Sequence, residues 1–139
     1  MSKNDEEILQ VILNALELGK QGFSEEFNEL HTTEYTRFSD LPPYRLQDRD
    51  EGLQLKFSLL TQLVDFEYRV ENFRVFSSDD MAVAVFNLRY QGMAVNDYAF
   101  EGKLVKGVSR CTTVLKKTSQ GWRILHEHYS RVPEGFSSD

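Results

Sequence analysis

WRILHEHYS, residues 122–130, follows RCTTVLKK, residues 110–117, across the short polar run TSQG. The first of these in chain order is rich in β-branched residues. The second alternates rings and aliphatic side chains with polar ones, so both read as strands. A four-residue polar link that contains a glycine makes them an antiparallel hairpin. On a regular strand Trp122, Ile124, His126, His128 and Ser130 share one face, and Arg123, Leu125, Glu127 and Tyr129 share the other. Neither face is purely polar, which predicts a strand that is central in its sheet or lines a cavity.

Upstream of this hairpin the period changes once. Asn4 or Asp5 can cap a first helix, in which Ile8, Leu9, Val11, Ile12, Ala15, Leu16 and Leu18 recur at helical spacing until Gly19–Gly22. Ser24 opens a short second helix through Leu30, with His31 at its end, and YTRFS (35–39) reads as extended. Pro42 and Pro43 interrupt the chain. Asp48–Glu51 then lead a third helix to about Leu63. From Asp65 the period is two: residues 66–76 and 81–91 alternate, and SSDD (77–80) is the turn between them. Residues 93–106 form a longer, less regular stretch, and Gly107 opens the final hairpin. Helices followed by a run of antiparallel strands predict an α+β domain, with the helices on one face of a curved sheet. One domain spans 1–139, with its core at about 5–133 and a polar tail at 134–139.

Composition excludes several classes of function. A formal net charge of −6, with no basic cluster, argues against nucleic acid as a partner. No apolar run is long enough to span a bilayer, and the acidic start MSKNDEE lacks an apolar signal core, so neither membrane association nor secretion is expected. The single cysteine, Cys111, rules out an internal disulfide and fits a reducing compartment. The expectation is a cytoplasmic protein.

The helices-then-strands plan, the turn in SSDDMAVAVFNLRY, and above all the paired phrases RCTTVLKK and QGWRILHEHYS resemble the nuclear transport factor 2-like superfamily. Within it the chain is similar to SnoaL-like proteins and to the association (hub) domain of calcium/calmodulin-dependent kinase. Trp122, His126, His128 and Ser130 match that hub's closing Trp-x-x-x-His-x-His-x-Ser phrase, and Thr112 and Val114 match its Thr-x-Val pair. The resemblance implies a cone-shaped cystatin-like fold with a pocket between sheet and helices. It also implies either enzymes (isomerases, cyclases, dehydratases) or non-catalytic assembly domains, so fold alone does not choose. At the two positions where the hub carries pocket arginines this chain has Thr113 and Tyr129, so that anion-binding role does not carry over by position.

Several residues are candidates for chemistry. His126 and His128, about 7 Å apart along the strand, suit a metal pair or a general base with a helper, and His31 could complete a three-histidine site if it faces the pocket. Equally, they read as structural residues satisfied by buried hydrogen bonds. No metal and no cofactor is expected, because two histidines without a nearby cysteine or aspartate set are thin grounds for a site. Arg110, with apolar neighbours, reads as an ion-pair partner within the sheet or as an anchor for an acidic or carbonyl ligand. Tyr35, Tyr44, Tyr98, Trp122 and Tyr129, with Phe38, could line an apolar pocket with polar handles, or belong to a core or an interface. The sheet offers Asp65, Glu67, Glu71, Asp97, Glu101 and Glu127 as carboxylates, none in a diagnostic motif.

Two functional classes follow. One is a small-molecule pocket for a mostly apolar ligand, with acid–base isomerase, dehydratase or cyclase chemistry. The other is a dimerisation or assembly module. In either case apolar residues on both faces of the strands predict a homodimer through the outer face of the sheet.

Overall fold

The computed structural model describes residues 1–96 and 101–136. Helix α1 (Lys3–Gln21) begins two or three residues earlier than the Asn4 or Asp5 cap suggested: the Ser2 side chain accepts from the Asp5 amide. It ends at Gly22, whose left-handed φ of 81° closes the helix. The short α2 (Ser24–Glu29) follows, and His31 is not on it but starts strand β1 (His31–Phe38). Helix α3 (Arg49–Gln62) is capped by Asp48, which accepts from the Glu51 amide. Strands β2 (Val64–Ser77), β3 (Met81–Asn96), β4 (Glu101–Thr118) and β5 (Gly121–Arg131) complete the chain. Among the described residues no helix is long and apolar enough to cross a membrane.

The strands form one five-stranded sheet in the order β1-β5-β4-β3-β2. The Trp122–Ser130 stretch is therefore interior, as its two-sided apolar character predicts. Two details differ from the sequence reading. First, YTRF of that stretch belongs to β1, which pairs with β5 in parallel, so the otherwise antiparallel sheet gains a parallel edge. Second, within the stretch 93–106 the described residues 93–96 and 101–106 are no separate strand. They extend β3 and β4 into one long ladder, from Met81↔Lys116 to Asn96↔Glu101, and Gly107 lies inside β4 opposite Tyr90. The glycine fits packing rather than a turn, because a Cβ there would meet the Tyr90 hydroxyl at 2.8 Å.

Bulges decide which side chains face the helices. Val114 pairs with His126 and Leu115 with Ile124, so Leu125 is an extra residue in β5. The alternation slips there by one. Trp122 and Ile124 point inward before the bulge, Glu127 and Tyr129 point inward after it, and His126 and His128 are left on the outer face. The grouping of Trp122 and Ile124 with the histidines is thus corrected by a single inserted residue. A second slip lies in β2 at Asn72, which adopts φ 56°, so that Phe66, Tyr68 and Val70 and then Phe73 and Val75 face the core.

The core lies between the sheet's inner face and the helices. Ile8, Ile12, Ala15 and Leu16 of α1, Phe27 of α2 and Leu53 and Leu60 of α3 pack on Phe66, Ala84, Phe86, Leu115 and Ile124. Gly19 lets α1 and α3 meet: a Cβ on it would overlap the end of Leu60 and press on Phe27 at 3.2 Å. Helix propensity alone would make Gly19→Ala stabilising by about 1 kcal/mol. The overlap opposes this with about 1–3 kcal/mol of overpacking. The variant should therefore show a lower urea midpoint than the parent, with m unchanged.

Candidate functional site

The site begins on α3. Leu53, Lys56 and Leu60 fall at i, i+3 and i+7, so they share the helix's buried stripe, and Lys56 is carried inward with the two leucines. Opposite it the bulge in β5 presents Glu127. The Lys56 ammonium donates to Glu127 Oε1 at 2.7 Å, with both side chains almost fully buried. Tyr35 of β1 donates to the same oxygen at 2.7 Å, and Tyr129 donates to Oε2 at 2.6 Å. Lys56 also reaches His31 Nε2 at 2.9 Å. His31 Nδ1 lies 2.8 Å from the Phe27 carbonyl. A carbonyl only accepts, so Nδ1 carries the hydrogen and Nε2 accepts from the lysine.

The electrostatics follow from this geometry. Burial alone would raise the Glu127 carboxyl, but Lys56, Arg37 and the hydrogen bonds outweigh it and hold the group well below the ordinary carboxylate range. Burial, aided by the neighbouring Lys56 ammonium, drives His31 well below the ordinary histidine range. Burial likewise lowers Lys56, and Glu127 opposes that. Tyr35 and Tyr129 are pushed up by burial and by Glu127, so both stay protonated donors.

Beside this cluster lies a cavity of ≈ 170 Å³. Leu16, Leu59, Leu60, Leu63, Phe66 and Leu88 give it apolar walls, and Arg37, Asp40, Lys56, Ser109, Tyr129 and Arg131 give it a polar side. Arg37 stands over the Tyr129 ring, with its guanidinium carbon 4.9 Å from the centroid. The Ser109 hydroxyl donates to Asp40 Oδ2 at 2.8 Å.

The residues singled out from sequence scatter. Tyr129 lines the cavity. Tyr35 stands behind it, within the buried network. Trp122 is buried elsewhere and donates to Asn4 Oδ1 at 2.8 Å. Tyr44 is exposed on the loop after β1. Arg110 is exposed and donates to Ser130 Oγ at 3.1 Å on the outer face. Tyr98 and Asp97 lie outside the described residues. His126 accepts from or donates to Thr36 Oγ1 at 2.8 Å, and His126 and His128 flank the Phe38 ring. They are on the outer face while His31 is inside, so the three histidines do not converge. Among the described residues no three or more His, Cys, Asp or Glu side chains are grouped to hold a metal. Sequence reading missed Arg37, Asp40, Lys56 and Ser109. The helical spacing of Leu53, Lys56 and Leu60 was the available signal for the lysine. Nothing comparable marks Asp40, which sits in a loop.

A helix-lined sheet whose inner face holds a polar cluster beside an apolar cavity defines an α+β pocket domain. The family model for the SnoaL-like domain matches residues 8–134, and the chain belongs to that family. No curated protein matches it. Among solved structures it is similar to a candidate dehydratase of the NTF2-like family from Streptomyces avermitilis, at 17% identity and TM-score 0.78, covering 93% of this chain and 96% of that one. It is also similar to the CaMKII hub homology domain of Chlamydamonas reinhardtii, at 21% identity and TM-score 0.73, covering 92% and 98%. An NTF2-like protein of unknown function from Pseudomonas putida KT2440 aligns at 17% identity and TM-score 0.71, covering 100% and 92%. At such identities these likenesses establish the NTF2-like fold.

Two outcomes test the cluster. Lys56→Met leaves the buried Glu127 carboxylate without its ion-pair partner, with the two tyrosine hydroxyls as its remaining donors, and should cost about 3–5 kcal/mol, whereas replacing both residues by apolar ones should recover much of the loss. The pH dependence has a definite sign. A histidine whose folded pKa is depressed stays neutral while its unfolded counterpart gains a proton, so stability falls as pH drops through about 6.5. Glu127, also depressed, contributes stability above its unfolded value of about 4.3 and loses it as pH falls further. His126, lowered by burial, adds in the same direction as His31. Urea unfolding of His31→Gln should therefore show a shallower loss between about pH 6.5 and 5 than the parent.

Proposed function

We propose that this protein binds a small, mostly apolar molecule in the cavity and acts on it by acid–base chemistry of the isomerase, dehydratase or cyclase kind. The observation that carries the reading is the cavity itself: apolar side chains on most of its walls, and a fixed group of charged and hydroxyl-bearing side chains on one side. Among the described residues Asp40 is the carboxylate that lines it. Ser109 holds one oxygen of Asp40, which leaves the other to take a proton from a bound molecule. What supports Asp40 over His126 and His128 is its position on the cavity wall; the histidines belong to the opposite face of the sheet. We also propose a cytoplasmic location, which the single cysteine, Cys111, fits.

Cyclohexanone is a suitable probe, being small, mostly apolar and bearing exchangeable hydrogens on the two carbons beside its carbonyl. Its titration should shift the methyl resonances of Leu16, Leu60 and Leu88, and the protein should speed exchange of its α-hydrogens with deuterated water. Asp40→Asn should keep the methyl shifts and lose about 100-fold or more of the exchange. No shift at those methyls would remove the pocket reading. Equal exchange in the variant would remove Asp40.

We also propose that the outer face pairs with a second copy. Phe38, Phe76, Val83, Val85 and Val114 fall there by register around His126 and His128, and Phe76 is 63% exposed. Such a surface suits a symmetric interface on the order of 1,600 Å² in total. Sedimentation at micromolar concentration should give a dimer, and Phe76→Asp should shift it to monomer. A monomeric parent would contradict the proposal.

A further inference from the structure

Arg37 is only 4% exposed, yet its Nε and Nη1 make no hydrogen bond. Buried guanidinium donors that lack acceptors are costly, so the arrangement calls for an occupant. The side chain is also built into place. The Arg37 amide and carbonyl both bond to Gln47, at 3.1 and 2.9 Å. Its Cβ packs against Gly52 of α3, where an added Cβ would lie 3.5 Å away, and the Tyr129 ring lies under the guanidinium.

The neighbouring carboxylates are already engaged. Glu127 stands directly opposite Arg37 in the β1–β5 register, but its two oxygens take three donors from Lys56, Tyr35 and Tyr129. Asp40 accepts from Ser109. Among the described residues no carboxylate comes within ion-pair distance of Arg37, so Lys56 and Glu127 pair with each other and the Arg37 guanidinium has no ion-pair partner. We propose that Arg37 seats the carboxylate of a small organic acid whose apolar body fills the cavity. The planar fork of the guanidinium matches a carboxylate in shape. With Lys56 paired to Glu127, the cavity's polar side carries Arg37 and Arg131 against Asp40, one positive charge in excess, which favours a monoanion over a dianion. The volume of ≈ 170 Å³ is close to that of cavities that hold benzene, about 150 Å³, so an acid of about the size of benzoate fits. This rests on the reading of the cavity as a ligand pocket.

Benzoate, benzyl alcohol and inorganic phosphate separate the possibilities. Calorimetric titration of the protein should show benzoate binding at least tenfold more tightly than benzyl alcohol, its neutral counterpart. Arg37→Gln should bind the two alike, and Arg37→Lys should keep part of the preference. In the parent protein the Arg37 Nε–H resonance should move with benzoate and stay in place with benzyl alcohol, a readout that needs no variant to fold. Equal binding of benzoate and benzyl alcohol by the parent would overturn the carboxylate seat while leaving the pocket intact. Phosphate binding without benzoate binding would overturn the organic acid. Binding of none of the three would overturn both the seat and the pocket.

Discussion

Lys56 on α3 reaches across the interior to Glu127 on β5 at 2.7 Å, and both are buried. Two charges removed from water gain little net stability from each other, because desolvation consumes most of the attraction. The consequence of the pair is geometric. With the lysine in place, Glu127 accepts Tyr35 and Tyr129, and His31 is held as an acceptor with its Nδ1 hydrogen on Phe27. Tyr129 in turn underlies Arg37. A shift of α3 relative to β5 would therefore disturb one side of the cavity through a chain of direct contacts.

The arrangement divides the sheet into two faces of different make-up. The inner face carries the core, the charged cluster and the cavity. The outer face carries His126, His128, Phe38 and a patch of valines. The proposed ligand chemistry and the proposed self-association therefore do not compete for the same residues. Relatives of this fold include both a candidate dehydratase and kinase association domains.

Much of the fold was legible in the chain because hydrophobic period is a local property. The change near Asp65 from helical to alternating spacing locates the boundary between helices and sheet body, and the two-sided strand Trp122–Ser130 is interior, between β1 and β4. The candidate site was less legible, for a specific reason. One extra residue, Leu125, reverses the facing of everything after it, so Glu127 and Tyr129 turn inward and the conspicuous histidines turn outward. Strict alternation gives no sign of such a slip. Lys56 was readable from its place between Leu53 and Leu60. Arg37 and Asp40 depend on how β1 docks beside β5 in parallel, a long-range pairing that no local pattern encodes.

The protonation state of His31 reports on the whole inner cluster, since it depends on Lys56, Glu127 and the Phe27 carbonyl together. Long-range proton–nitrogen NMR of the histidine rings measures it directly. Between about pH 5.5 and 8, a span that brackets an ordinary histidine's titration, His31 should remain neutral, with its hydrogen on Nδ1 and an accepting Nε2. A ring that titrates near the ordinary value of about 6.5, or that carries its hydrogen on Nε2, would mean that Lys56 does not hold this position and that the buried cluster is not assembled as described.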